Sequence, residues 1–192
     1  MPSSGIVTEV VEIPLDVPFP EFLPIFQLEL LPVLLAEPGV LSVRTGERSK
    51  ELQTAHQLIG AQGVKIRASE DSIHASAVSL TEWDSLESHA KFVKKESSAH
   101  FFERTAKISR GPPTVDHYQF DSLNSPGGSE CTRVVFENYV SGGKSAASLD
   151  NEGLFCRISP VKVDTESSPS SAKRFFDVLW YSCEQKVLKS SL

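Results

Sequence analysis

The chain has little cysteine: Cys131, Cys156 and Cys183 are the only three among 192 residues. An odd count at wide spacing builds no disulfide framework and matches no zinc pattern, so reduced, mostly buried thiols in a cytosolic protein are expected. Net positive charge is also missing. The formal charge is −6, and a nucleic-acid surface would need clustered Lys and Arg. No unbroken apolar run reaches the ~20 residues of a membrane span. The most apolar stretch, "FLPIFQLELLPVLLAEPGVL", is interrupted by Pro24, Pro32 and Pro38 and carries Glu29 and Glu37; it reads as a buried amphipathic helix. The N-terminus, "MPSSGIVTEV", shows no basic segment followed by an apolar one, so no signal peptide is expected and the localisation reads as cytoplasmic. There is no P-loop, G-x-G-x-x-G, H-E-x-x-H or G-x-S-x-G. The glycine pairs in "PGGSE" and "SGGKSA" read as turns.

What is present is apolar periodicity. Hydrophobic residues make up 40% of the chain, enough for a packed core. "GIVTEVVEIPL" predicts a strand over Ile6 to Leu15. Phe22, Phe26, Leu30, Val33 and Leu34 recur at helical spacing and predict a helix from Pro20 to Ala36, which Pro32 should kink or interrupt. "VLSVRTGERS" predicts a second strand, and "KELQTAHQLIGAQG" either a short helix or a loop. A third strand is expected over Ser72 to Leu80, with Thr81 as N-cap of a helix opening at "EWDSLESHAKFV". "SSAHFFERTAKI" adds a helical stretch, and "TVDHYQF", Thr114 to Phe120, a fourth strand.

This β-α-β-β-α-β order is the split βαβ arrangement of ferredoxin-like folds. The polar stretch "DSLNSPGGSE", Asp121 to Glu130, reads as holding a linker over residues 123–130, dividing a unit at 1–122 from a shorter one at 131–192. In the second unit "CTRVVFENYV" echoes the first strand. Trp-x-Ser-x-Glu also occurs twice, at Trp83, Ser85 and Glu87 and at Trp180, Ser182 and Glu184. The echo suggests that the third strand and the following helix start recur, in a copy lacking the long first helix, most of the second helix and the fourth strand. "CEQKVLKSSL" is expected to open a helix. A β-rich extension resembling the first unit by chance is the alternative.

Of the five histidines, no pair has the i, i+4 or i, i+2 spacing of a metal site, and no metal is expected. His74 and His117 sit on predicted strands and His89 on the helix after Trp83, so each is a candidate proton-transfer group. Tyr118, adjacent to His117, must point to the opposite sheet face. Trp83, Phe22, Phe26, Phe92, Phe101 and Phe102 read first as core, and second as walls of a cavity for an aromatic or polyketide-like ligand.

The run "EWDSLESHAKFVKKESSAHFFE" resembles a segment of dimeric α/β-barrel proteins of the antibiotic-biosynthesis-monooxygenase type and their stress-responsive relatives. The matching positions are Trp83, Ser85, Glu87, Ser88, His89, His100 and Phe101. The resemblance covers Ile6 to Phe120; the remainder is similar to the degenerate second half of some fungal tandem members. It implies an α+β, ferredoxin-like fold whose two units close a barrel, within one chain as a pseudo-dimer or between two copies as a homodimer. It further implies a cofactor-independent oxygenase or cyclase, with no metal, acting on a hydrophobic aromatic or polyketide-like small molecule, with neither nucleic acid nor membrane as partner. His117, His89 or His74 would move the proton, and Trp83, Phe26, Phe22, Phe92 and Phe101 would hold the substrate. The alternative that the same resemblance allows is a non-catalytic ligand-binding or stress-responsive barrel.

Overall fold

The computed structural model describes residues 5–48, 75–120, 131–137, 145–152, 154–160 and 172–185. Strand β1 (Val7–Pro14) is followed by a helical run of α1 (Phe19–Ile25), a π-helical turn (Phe26–Leu30) and α2 (Leu31–Ala36). Then come β2 (Val40–Arg48) and β3 (Ser76–Trp83). Next are α3 (Leu86–Lys94), a 3-10 turn (Glu96–Ser98), α4 (Ala99–Ile108) and β4 (Thr114–Tyr118). The second half supplies β5 (Cys131–Glu137), β6 (Ser145–Ala147), β7 (Phe155–Pro160) and β8 (Ala172–Gln185). The fold is α+β and ferredoxin-like, of the dimeric α/β-barrel type.

All eight strands form one antiparallel sheet in the order β4-β1-β3-β2-β8-β5-β7-β6. Its two ends meet. Tyr118 bridges Ser148 just past β6, and the Leu149 N–H donates to the His117 carbonyl at 2.8 Å. A closed sheet leaves no free edge. The order also shows the relation between the halves: β8, β5, β7 and β6 take the places that β4, β1, β3 and β2 take in the first half. The second half therefore keeps a fourth strand, contrary to the expectation from the repeated Trp-x-Ser-x-Glu. Among its described residues it has no helix.

Strand alternation sorts the side chains into two cores. Val10, Val78, Leu80 and Tyr118 meet Val134, Phe136, Ala146, Cys156 and Val178 inside the barrel. Val7, Ile13, Val43, Ala77 and Trp83 pack outward beneath Phe19, Phe22, Phe26, Leu30, Leu34 and Phe92 of the helices. Tyr118 thus faces away from His117, as the adjacency requires.

Three local elements test the expectations. First, the Phe19–Ala36 helical run is 18 residues long and apolar enough to pass for a membrane span by length and composition. Here its apolar side packs against the sheet, as the sequence reading of a core helix expects. Pro32 does not end this run, but the α-helical ladder is interrupted just ahead of it, as its position predicts. The π turn, in which the Leu31 N–H reaches the Phe26 carbonyl, shifts the ladder just before it, and Pro32 falls in the first turn of α2, where its missing N–H costs little.

Second, the N-cap of α3 is Ser85 rather than Thr81. Ser85 Oγ accepts from the Ser88 N–H at 3.2 Å. Thr81 and Trp83 stay in β3 because they pair on both sides, Thr81 with Glu9 and Val43, Trp83 with Val7 and Val40. Third, Cys183, Glu184 and Gln185 continue β8 instead of opening a helix, because β2 offers them a ladder from Ser42 to Arg44.

Candidate functional site

The alternation that puts Val7, Val11 and Ile13 of β1 under the helices puts Glu9 there too. A carboxyl on an apolar face costs several kcal/mol unless donors reach it. Two groups do. The Trp83 Nε1–H donates to Glu9 Oε2 at 2.9 Å, and His89 Nε2 lies 3.3 Å from Glu9 Oε1. His89 comes from α3, whose start is set by the Ser85 cap, and its ring meets the Trp83 indole edge-on at 5.2 Å.

His89 turns its other nitrogen toward β4. Its Nδ1 is 3.1 Å from His117 Nε2, and the ring centroids are 4.5 Å apart. His117 Nδ1 in turn lies 2.9 Å from Asp150 Oδ2, and the His117 backbone N–H donates to the same oxygen at 2.6 Å. Asp150 stands in the turn after β6. Ser148 Oγ accepts there from the N–H groups of Asp150 (3.2 Å) and Asn151 (3.0 Å). The Asn151 side chain donates to Asp116 on β4 at 3.2 Å. The result is one continuous series: Trp83, Glu9, His89, His117, Asp150.

Glu9 and His89 open onto a cavity of about 100 Å³ between the sheet and the helices. Its walls are Phe26, Leu30 and Leu34 from the first helical run and Phe92, Phe101 and Phe102 from α3 and α4. Val11, Ile13 and Val115 floor it, with Ser79 and Thr81 as hydroxyl-bearing neighbours. Three of the expected substrate-binding side chains, Phe26, Phe92 and Phe101, therefore border the cavity. Phe22 and Trp83 do not; both are fully buried core side chains. Of the candidate proton-transfer groups, His89 lines the cavity and His117 stands one step behind it, with a side chain only 10% exposed. His74 lies outside the described residues. His100 is exposed and takes no part.

Glu9 and Asp150 are absent from the sequence reading. Glu9 carried a signal: it is the one charged residue on the otherwise apolar odd-numbered face of β1, Val7, Val11 and Ile13. Asp150, 33 residues beyond His117, carried none.

Donor atoms of Glu9, His89 and His117 lie within 4.8 Å of one another, a spread that can hold a metal ion. This set escaped the spacing argument because its members come from β1, α3 and β4. The arrangement is closer to a line than to a cage. His89 stands between Glu9 and His117 and offers a different nitrogen to each. An ion taking one of those nitrogens would keep one neighbour and lose the other.

No protein-family model matches the chain, and no curated protein sequence matches it. Solved structures do match in shape. A candidate monooxygenase from Fusobacterium nucleatum superposes with a TM-score of 0.59 at 8% identity, covering 96% of each chain. A candidate monooxygenase from Lactobacillus acidophilus gives 0.58 at 9% identity, over 95% of this chain and 97% of its own. An anthrone oxidase-like protein gives 0.57 at 10% identity, over 96% and 94%. At such identities the likeness establishes the fold. The two-half barrel described above is thus an architecture that monooxygenase-like and oxidase-like proteins share.

Proposed function

We propose that this chain is a small-molecule tailoring enzyme, a cofactor-independent oxygenase or cyclase acting on a compact hydrophobic, aromatic or polyketide-like substrate. One observation carries the reading: a carboxyl and an imidazole, Glu9 and His89, face a largely apolar cavity whose other polar neighbours are hydroxyls. Such a pair can accept the proton of a phenolic or enolic hydroxyl within a pocket that excludes water. The resulting phenolate or enolate is electron-rich. In an oxygenase it reacts with O₂; one oxygen atom enters the product and the other leaves as water with two substrate hydrogens. In a cyclase it attacks a carbonyl of the same molecule.

The cavity volume limits the substrate. About 100 Å³ is well below the ~300–1,000 Å³ of typical pockets for drug-sized ligands. Phe102 borders the cavity and is 41% exposed, so its rotation is the simplest way to admit a larger ring system. The small volume is also what favours the rival reading, a non-catalytic binding barrel.

Oxygen uptake and product formation with anthrone and a panel of smaller hydroxyaromatics test the proposal. Wild type is expected to turn over at least one of them. Glu9→Gln and His89→Gln should each lower kcat by roughly 10²- to 10⁴-fold, the usual worth of a positioned acid or base, while KM changes little. Binding without turnover across the panel would leave the non-catalytic reading.

A further inference from the structure

We propose that Glu9, His89, His117 and Asp150 form a proton relay that carries a proton from the cavity to solvent, with the exit residue supplied by the second half of the chain. The inference rests on the reading of the cavity as a reaction site and assigns roles to residues that line no part of it.

The ends of the series differ in environment. Glu9 borders the cavity and its side chain is 12% exposed, whereas the Asp150 side chain is 38% exposed. Between them lie three contacts of 3.3, 3.1 and 2.9 Å; the second and third are hydrogen bonds, and the first is an ion-pair contact that a shift of a few tenths of an ångström turns into one. Three contacts hold three protons when every one is made. With those protons on the cavity side, Glu9 is the carboxylic acid, each imidazole is neutral and protonated at Nδ1, and Asp150 is the carboxylate. With each shifted outward by one contact, Glu9 is the carboxylate, each imidazole is protonated at Nε2, and Asp150 is the acid. No contact is broken between the two arrangements.

A proton received by Glu9 from a bound hydroxyl, as the protons shift outward, is thus matched by a different proton released from Asp150, and the reverse shift, with a proton taken up at Asp150, returns one to the cavity and resets the chain. Charge stays balanced, because the substrate becomes an anion as the proton reaches water. Glu9 and His89 are the groups that touch substrate; His117 and Asp150 act through them. The exit is rigid. The Asp150 carboxylate accepts from the His117 backbone N–H, and its turn is tied to β4 through Leu149 and Asn151.

The test is nitrogen-15 NMR of the histidine rings in the full-length chain, without substrate. The proposal expects scalar coupling between His89 Nδ1 and His117 Nε2 through their shared proton. It also expects Asp150→Asn to move the ring resonances of both histidines, although Asp150 contacts only His117. Absent coupling, or a change confined to His117, would overturn the relay. The coupling is read on the unaltered chain, so a variant that fails to fold leaves that test standing. Stoichiometric binding of added Zn(II) or Fe(II) to both rings would also overturn it, in favour of a metal centre. Because no turnover is involved, a coupled pair in an inactive protein would sink the catalytic reading alone, and an uncoupled pair in an active enzyme the relay alone.

Discussion

The two halves of the barrel repeat one strand order and diverge in what they do with it. In the described part of the first half, three helical stretches cover the outer face of the sheet and enclose a cavity; the described part of the second half is strand and turn. The tryptophans of the repeated Trp-x-Ser-x-Glu show the divergence at one residue. Trp83 ends β3, packs under the helices and donates to the Glu9 carboxylate. Trp180 lies inside β8, which occupies the β4 position, packs toward the barrel interior and donates to Thr132 Oγ1 at 2.9 Å. The same five-residue pattern is thus a strand end and helix start in one place and continuous strand in the other. What differs is the neighbour: β2 offers a ladder to Cys183–Gln185, whereas α3 takes over two residues after β3 ends. The second half is more than a cover for the first, since it returns Asp150 to the site.

If the halves differ as described, Trp83→Ala should have the largest effect. It removes a fully buried indole and a donor to a buried carboxyl, at a cost of about 3–5 kcal/mol by urea denaturation. An equal loss for Trp180→Ala would break the comparison. Gly39→Ala comes next. A Cβ there would stand 2.3 Å from Ser88 Cβ, forcing α3 away from the sheet at about 1–3 kcal/mol. A double variant with Ser88→Gly should recover part of that loss, and the His89 ring resonances should report the displacement of α3. Trp180→Phe, which keeps most of the ring and loses the Thr132 contact, should cost about 1 kcal/mol in the same assay.

The smallest effect is expected at Glu29 and Arg104, which join the π turn to α4 through two hydrogen bonds at the surface. The Arg104 hydrogen bond is the main reason the Glu29 carboxyl is held below its ordinary value. With a lowered folded pKa, the contribution is present above the ordinary carboxylate range and is lost as pH falls through the folded value. Glu29→Gln should therefore lower Tm slightly at pH 7 and leave it unchanged near pH 2. A difference that persists in acid would assign the pair a role other than charge.

Much of the fold was legible because it is written in short-range periodicity. Alternation in "VTEVVEI" and helical spacing from Phe22 to Leu34 specify elements whose residues are neighbours in the chain. Ferredoxin-like order and the opposite facing of His117 and Tyr118 followed from that, whereas Phe26, Phe92 and Phe101 read first as core and border the cavity. The misreadings fell where a partner from elsewhere decided the outcome. Thr81 looked like a cap until β1 and β2 claimed it, and "CEQ" looked helical until β2 paired with it. By itself the sequence determined most of the strands and helices, their apolar faces and the presence of His89 and His117 on them. Only the tertiary structure decided that Glu9, His89, His117 and Asp150 stand in one line, because strand pairing and barrel closure bring together residues up to 141 positions apart, and no local pattern encodes so distant a contact.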